Sequence, residues 1–183
     1  MACSDSGKLV IGKSGLNASP IQAAAVRLRR AHPRDAAELL ALERHFPGDR
    51  LSPRAARRLL RSPSARIWLA EVDGRALAAL VLLLRRGSGV ARVYSLVVAP
   101  AVRGLGLARR LVALAEAEAL RRGCTSMSLE VRADNAPARA LYARLGYAEH
   151  ARLPGYYEEG GDGLRLRKPL AGGGRGSAGD APA

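Results

Sequence analysis

The most constraining stretch of this sequence joins a strand pattern to a long helix pattern. An apolar run, Val93–Val98, leads into a loop with Gly104 and Gly106, and leucines then recur at helical spacing from Leu107 to Leu114. Amide N–H groups in the first turn of a helix have no partner within the helix and lie at the positive end of its dipole. The stretch therefore predicts a strand, a loop suited to hold a phosphate, and a helix.

The spacing of the small residues separates two kinds of phosphate-binding loop. A dinucleotide fingerprint, G-x-G-x-x-G/A, beginning at Gly104 needs a third small residue where the chain has Arg109. The pattern present is Arg-x-x-Gly-x-Ala, at Arg103, Gly106 and Ala108. This pattern resembles the acetyl-CoA pyrophosphate loop of the GNAT superfamily of N-acetyltransferases.

A second motif follows in residues 129–147. It reads Leu-Glu-Val-Arg at 129–132, then Asn-x-x-Ala-x-x-Leu-Tyr at 135–142, then Gly-Tyr at 146–147. Together with the glycine loop, it resembles the C-terminal half of RimI-like enzymes, which acetylate the N-terminal alanine of a ribosomal protein. The N-terminal half of the chain resembles these enzymes only in the order of its elements.

The resemblance implies roles for individual residues. Glu130 falls where the family has its proton acceptor, and Tyr142 falls where it has its proton donor. The family's acetyl-CoA contacts fall on Leu96, Val97, Val98, Arg103, Gly104, Leu105, Gly106, Leu107, Ala108 and Asn135. These residue types suit the chemistry, because a carboxylate can take a proton from the attacking amine and a phenol can protonate the departing thiolate.

Each of these residues also has a purely structural interpretation. Glu130 shares a strand face with Ser126 and Ser128, which is also typical of a solvated polar face. Tyr142 lies on an apolar helix face, where a core tyrosine is common. Asn135 precedes a helix pattern and can simply cap it. The residues alone leave these alternatives open.

Three aromatic residues are candidates for the acceptor site: Phe46, Tyr156 and Tyr157. Phe46 lies at a break between two helix patterns and is either a core plug or a wall of the acceptor groove. The two tyrosines resemble a pair that RimI-like enzymes carry in their last hairpin, near the acceptor peptide. The chain departs from the family there, with Gly163 and Leu166 where Ala and Met are usual, which leaves the acceptor's identity open.

Periodicity places the remaining elements. Strand patterns cover 26–30, 66–72, 76–84, 90–98, 126–131, 147–152 and 164–168, and helix patterns cover 33–45, 53–61, 108–122 and 136–145. We expect a GNAT-type α/β fold in residues 25–170, with a mixed, mostly antiparallel splayed sheet of six to seven strands and about four helices. Residues 1–24 are expected to form a flexible leader, and 171–183 a disordered Gly/Ala-rich tail.

Composition limits the other function classes. The net charge of +14 favours encounter with polyanions, but 4% aromatic residues are too few for a base-stacking surface, so no specific nucleic-acid partner is expected. Cys3 and Cys124 give neither a disulfide framework nor metal-ligand spacing, so no metal is expected. The longest apolar run, Ala76–Leu84, is too short to cross a bilayer. The sequence predicts a cytoplasmic protein.

We therefore expect an N-acetyltransferase that moves an acetyl group from acetyl-CoA to a primary amine by direct attack in a ternary complex. The preferred acceptor is a protein N-terminal α-amine, such as that of a ribosomal protein. Two alternatives stay open: acetylation of a small-molecule amine or a lysine side chain, and a non-catalytic acetyl-CoA-binding module. The expected assembly is a monomer or a dimer.

Overall fold

A computed structural model of the chain describes residues 8–9, 26–44 and 51–171. The strands are β1 (Lys8–Leu9), β2 (Arg27–Arg30), β3 (Ala65–Val72), β4 (Arg75–Leu84), β5 (Val90–Val98), β6 (Ser126–Arg132), β7 (Ala148–Leu153) and β8 (Gly163–Pro169). The helices are α1 (Ala36–Glu43), α2 (Pro53–Arg61), α3 (Leu107–Arg121) and α4 (Ala136–Arg144). Short 3-10 turns precede α1 and follow β5, at Pro33–Asp35 and Pro100–Val102.

Seven strands of the sheet follow the order β2-β3-β4-β5-β6-β8-β7, and β1 is an eighth strand that pairs with β5. Within the seven, only β5 and β6 are parallel, and α3 connects them. The four helices flank this sheet, so the predicted fold class is confirmed. Local signals explain much of it. Asp73 and Gly74 both have positive φ in the β3–β4 hairpin, and the Ser52 hydroxyl accepts a hydrogen bond from the amide of Ala55 at the start of α2.

The parallel strands β5 and β6 separate before they end. Their pairing stops at Val93 and Leu129. Val93 and Ser95 pair with consecutive residues of β4, so Tyr94 between them forms a β-bulge, and a bulge bends its strand. Beyond the bulge, β1 lies parallel to β5, opposite Ser95 and Leu96, on the edge of β5 that faces β6, and it contacts β6 as well. The strands β5 and β6 therefore separate in the middle of the sheet, and β1 lies between them.

The two faces of β5 carry different layers. Ser95 contacts Glu43 of α1, whereas Leu96 lines a cavity beside Leu107 at the start of α3. Consecutive strand residues point to opposite faces, so α1 lies on one side of the sheet and α3 on the other. Strand β4 lies between these layers, and its residues from Ala76 to Leu82 are buried.

Several sequence predictions fall on residues outside the described ranges. Phe46 is one of them, and its two interpretations stay predictions. Of the leader 1–24 only Lys8–Leu9 is described, as strand β1, and of the tail 171–183 only Ala171 is described, so the domain boundaries also stay predictions. In the part of the chain that the structure describes, no helix combines the length and the hydropathy needed to cross a membrane.

Candidate active site

A cavity of about 330 Å³ lies between β5, the start of α3 and α4. Its walls include seven of the ten predicted acetyl-CoA contacts: Leu96, Val98, Arg103, Gly104, Gly106, Leu107 and Ala108. On the α4 side it is lined by Pro137, Leu141 and Arg144. Most of the cavity is apolar, and its polar groups are concentrated at the loop that enters α3.

The loop has the geometry that an anion needs. Gly104 and Gly106 have φ of 84° and 72°, a left-handed conformation that glycine adopts without strain. The amides in the first turn of a helix have no acceptor within the helix. Gly106 is the N-cap of α3, and no side chain caps this end, so these amides can bind an anion. Arg103 lies beside them, and burial lowers the pKa of its guanidinium below the usual value. These groups fit a diphosphate, and the apolar walls fit the chain that joins it to a thioester.

The other three predicted acetyl-CoA contacts do not line this cavity. Val97 lies between Leu96 and Val98 on β5, so its side chain points to the opposite face, where it is buried. Leu105 packs partly buried against the core. The side chain of Asn135 accepts a hydrogen bond from the amide of Ala138 at 3.2 Å, which makes it the N-cap of α4.

The predicted proton donor, Tyr142, is 1% exposed on α4. Its ring packs edge-to-face against Tyr147, with centroids 5.4 Å apart. Burial raises the pKa of the Tyr142 phenol well above its ordinary value, so the group keeps its proton at neutral pH. Its neighbour Leu141 lines the α3 cavity, but Tyr142 is not among the described residues that do.

The predicted proton acceptor, Glu130, lies on β6 and is 3% exposed. Arg92 donates from Nε to its Oε2 at 2.7 Å, and Arg165 donates from Nε to its Oε1 at 2.9 Å. The interpretation of Glu130 as part of a solvated face is therefore wrong. Two guanidinium groups hold it as a buried carboxylate.

Glu130 lines a second, polar cavity of about 520 Å³. Register places this cavity on the α1 face of the sheet, because Arg92 is opposite Leu83 and Ser95 is opposite Val81, two positions that share one face of β4. The α3 cavity lies on the other face. The two cavities are therefore separated by the sheet, and the gap between β5 and β6 lies between them.

A buried polar pair marks this gap on the α1 side. Ser95 donates from Oγ to Oε1 of Glu43 at 2.9 Å, and the two residues are 1% and 3% exposed. Sequence reasoning missed the pair, because Glu43 reads as the last polar residue of an ordinary helix. A serine inside the apolar run of β5 was the only available signal.

The two candidate acceptor tyrosines have different surroundings. Tyr156 lines the polar cavity, and its hydroxyl accepts from Nη2 of Arg92 at 3.3 Å. Tyr157 is buried and lies under the Arg132 guanidinium, 5.1 Å from ring centroid to Cζ. A Cβ at Gly163 would lie 3.1 Å from Cβ and Cδ1 of Tyr156, so the glycine allows Tyr156 to sit against β8.

Sequence reasoning also missed three arginines that line the polar cavity: Arg92, Arg165 and Arg167. On β8 the arginines alternate with Leu164 and Leu166, so the pattern indicates one apolar and one basic strand face. The signal was present, but nothing local relates it to Glu130.

Comparison with known proteins decides the family. The model of the Acetyltransferase (GNAT) family matches residues 34–147. The chain belongs to this family. Like other GNAT enzymes, it is an acyltransferase that takes acetyl-CoA as its cosubstrate, and its N-acetyltransferase activity is of the GNAT type.

Two relatives illustrate the range of similarity among GNAT proteins. An uncharacterized N-acetyltransferase of Methanocaldococcus jannaschii is 36% identical over 107 residues, which cover 57% of this chain and 67% of that protein. N-alpha-acetyltransferase MAK3 of Arabidopsis thaliana is 42% identical over 75 residues, which cover 41% of this chain and 40% of that protein. The match thus spans two thirds of the archaeal protein but less than half of the plant protein.

Solved structures show the same GNAT fold. The ribosomal-protein-S18-alanine N-acetyltransferase of Escherichia coli has a TM-score of 0.73 and 23% identity, over 82% of this chain and 97% of that chain. Ard1 of Thermoplasma volcanium has a TM-score of 0.74 and 21% identity, over 81% of this chain and 99% of that chain. At these identities the likeness concerns the fold alone.

Proposed function

We propose that this GNAT enzyme acetylates the α-amine at the N-terminus of a peptide or protein, by direct attack in a ternary complex. One observation carries the proposal: the anion-binding loop and the buried carboxylate Glu130 lie on opposite faces of the sheet, on either side of the place where β5 and β6 separate. In the proposed complex the reactants replace β1 between these two strands. Relatives named as N-alpha-acetyltransferases support this acceptor class. The RimI-like resemblance extends the proposal to the N-terminus of a ribosomal protein.

In the proposed complex the amides of residues 103–108 hold the diphosphate of acetyl-CoA. The apolar side chains of Leu96 and Val98 contact the arm that carries the thioester. The bound donor supplies an activated acetyl group. A main-chain N–H near Val98 polarises the thioester carbonyl, as donors in an oxyanion hole do.

Glu130 is the proposed proton acceptor, acting directly or through a water. Each of its oxygens already accepts one hydrogen bond from an arginine. An α-amine, whose pKa is about 7.7–8.0, needs little help from a base to lose its proton near neutral pH. A lysine amine, with a pKa of about 10.4, holds its proton more tightly by about 3.5 kcal/mol. The cost of removing the proton therefore favours α-amines over lysine side chains as acceptors.

Tyr142 is the proposed proton donor to the departing thiolate. Its buried phenol keeps its proton, because burial raises its pKa. No thiol is proposed to act as a nucleophile. Cys124 is buried and burial raises its pKa too, so it is a poor thiolate. Acetyl transfer then needs no covalent enzyme intermediate.

The test is an acceptor panel with acetyl-CoA, monitored by thiol release and by mass spectrometry of the product. The panel contains a peptide with a free α-amine, the same peptide with a blocked N-terminus and one lysine, and a polyamine. We expect acetylation of the free α-amine at the highest kcat/KM. Preferred turnover of the lysine peptide or the polyamine contradicts the proposal, and CoA binding without turnover of any amine favours a non-catalytic module.

Two substitutions test the assigned groups. We expect Glu130→Gln and Tyr142→Phe each to lower kcat by about 10²–10⁴-fold, the usual contribution of general acid–base catalysis. The matched controls are Glu149→Gln on the exposed β7 and Tyr147→Phe, which keeps the ring beside Tyr142. Calorimetric binding of CoA checks that each variant is folded. Full activity in the Glu130→Gln, Tyr142→Phe double variant contradicts the roles.

A further inference from the structure

We infer that the preferred acceptor carries a carboxylate within its first few residues, and that the arginines of the polar cavity select it. This inference rests on the proposed acetylation of peptide N-termini. The cavity is lined by three guanidinium groups and one carboxylate, Glu130, and both oxygens of that carboxylate already bind Arg92 and Arg165. The lining therefore has two positive charges in excess.

Arg167 carries the excess charge most directly. Its Nε and Nη2 donate to the Ser126 hydroxyl at 3.1 and 2.8 Å. Among residues 26–44 and 51–171, no carboxylate lies within ion-pair distance of it. A hydroxyl compensates no charge, so the guanidinium retains the capacity for a bidentate carboxylate.

The arginines form a row on one face of the sheet. Arg92 on β5, Ser128 on β6 and Arg167 on β8 are in register, and Arg165 is opposite Glu130 in the next row. Arg92 and Arg167 lie two strands apart, about 9.6 Å, and Arg165 and Arg167 lie two residues apart on β8, about 6.6 Å, so these like charges repel one another. The side chains of Arg92 and Arg165 are only 28% and 41% exposed, which limits the screening of this repulsion by water. An acceptor carboxylate relieves it.

The distance between Glu130 and Arg167 determines which position of the acceptor peptide carries the carboxylate. Arg167 is opposite Ser128, two residues before Glu130 on β6, which is about 6.6 Å along the strand. An extended peptide advances about 3.3 Å per residue. An acceptor whose α-amine reaches Glu130 therefore brings its second or third side chain to Arg167. His150 on β7 and Tyr156 in the loop between β7 and β8 line the same cavity. We expect the acidic side chain of the acceptor to enter the cavity beside these two residues.

The test uses three peptides that differ only at positions two and three, where they carry Glu, Gln or Lys. We expect kcat/KM to fall in the order Glu, Gln, Lys, with at least a tenfold advantage of Glu over Gln. Arg167→Gln lowers kcat/KM for the Glu peptide until the Glu/Gln ratio is near one. Arg167→Glu makes the Lys peptide the best of the three. The matched control, Arg152→Gln, changes an exposed arginine of β7 that is paired with Glu149, and it leaves the ratio unchanged.

Three outcomes overturn the inference. Equal rates with all three peptides contradict it, and so does a Glu preference that persists in Arg167→Gln, provided that thermal melting shows this variant to be folded. In both cases α-amine acetylation itself stands. If none of the three peptides is acetylated at its α-amine, the proposed function is wrong, and the inference that rests on it is wrong as well.

Discussion

Gly106→Ala changes the backbone preference of the candidate diphosphate loop without a steric clash. Gly106 has φ of 72°, and a Cβ placed there meets no heavy atom within 4 Å. The substitution therefore adds backbone strain but no steric clash. An L-residue in the left-handed conformation costs roughly 1–2 kcal/mol. The variant loop avoids that strain by relaxing to negative φ in the free protein, which turns the amides at the start of α3 away from their present directions.

The expected loss of affinity follows from this strain. CoA binds the left-handed loop, so binding to the variant must restore the strained conformation and is weakened by up to the same free energy. A loss of about 1–2 kcal/mol corresponds to about a 5–30-fold increase in Kd. The matched control is Gly87→Ala, at an exposed turn with φ of 74° and equally open surroundings. It carries the same strain outside the cavity.

Isothermal titration calorimetry with CoA measures the two affinities, and thermal melting measures the strain. Gly87→Ala is expected to bind CoA like the parent protein while its Tm falls by about 2–8 °C, since 1 kcal/mol shifts Tm by about 2–4 °C in a domain of this size. A Gly106→Ala protein that binds CoA as tightly as the parent refutes the reasoning. So does an equal loss of affinity in both variants.

Three further predictions concern the acceptor, stability and pH. Gly163→Ala pushes a Cβ against Tyr156, so KM for the acceptor peptide rises severalfold while KM for acetyl-CoA does not; two-substrate initial rates check this. The Arg29 guanidinium holds the pKa of the Asp35 carboxyl below its ordinary value, so this ion pair stabilises the fold above about pH 4 and the gain is lost as pH falls below that. Urea unfolding of Asp35→Asn should therefore show a flatter acid limb. With an N-terminal peptide, kcat/KM should rise with pH and level off above about pH 8, where the α-amine is neutral; a plateau reached near pH 6 contradicts this.

The elements that were predicted correctly have signals within a few residues of chain. The predicted helix at 53–61, the predicted strands at 66–72 and 76–84 and the predicted loop at Gly106 each have such a signal: the Ser52-Pro53 cap, the Asp73-Gly74 turn and the glycines of the loop. The seven cavity-lining residues of β5 and the α3 loop were assigned through the family resemblance, and their contact with acetyl-CoA stays a prediction. They all lie within residues 96–108, and a helix start places its own amides.

The polar cavity depends on strand order instead. Arg165 reaches Glu130 only because β8 lies between β6 and β7, although it follows β7 along the chain. Nothing within reach of either residue in sequence specifies that insertion. The bulge at Tyr94 similarly requires the register between β4 and β5, which the apolar runs of both strands leave undetermined. Tertiary pairing therefore decides how Glu130 is held, while local sequence decides where it lies.

The role of Gly163 illustrates a contact that composition conceals. The sequence shows a small residue where the resemblance leads one to expect alanine, and it gives no reason for the change. The structure supplies the reason in the approach of Tyr156 to β8. Such contacts join a loop to a strand by side-chain packing, and the hydrophobic periodicity of the sequence does not indicate them.

A crystal structure of the CoA complex tests the central claim most directly. We predict that the diphosphate oxygens lie within about 3.2 Å of main-chain nitrogens in residues 103–108, with the thiol directed to the gap between β5 and β6. A CoA molecule bound with its diphosphate elsewhere, or no bound CoA at saturating concentration, contradicts the claim.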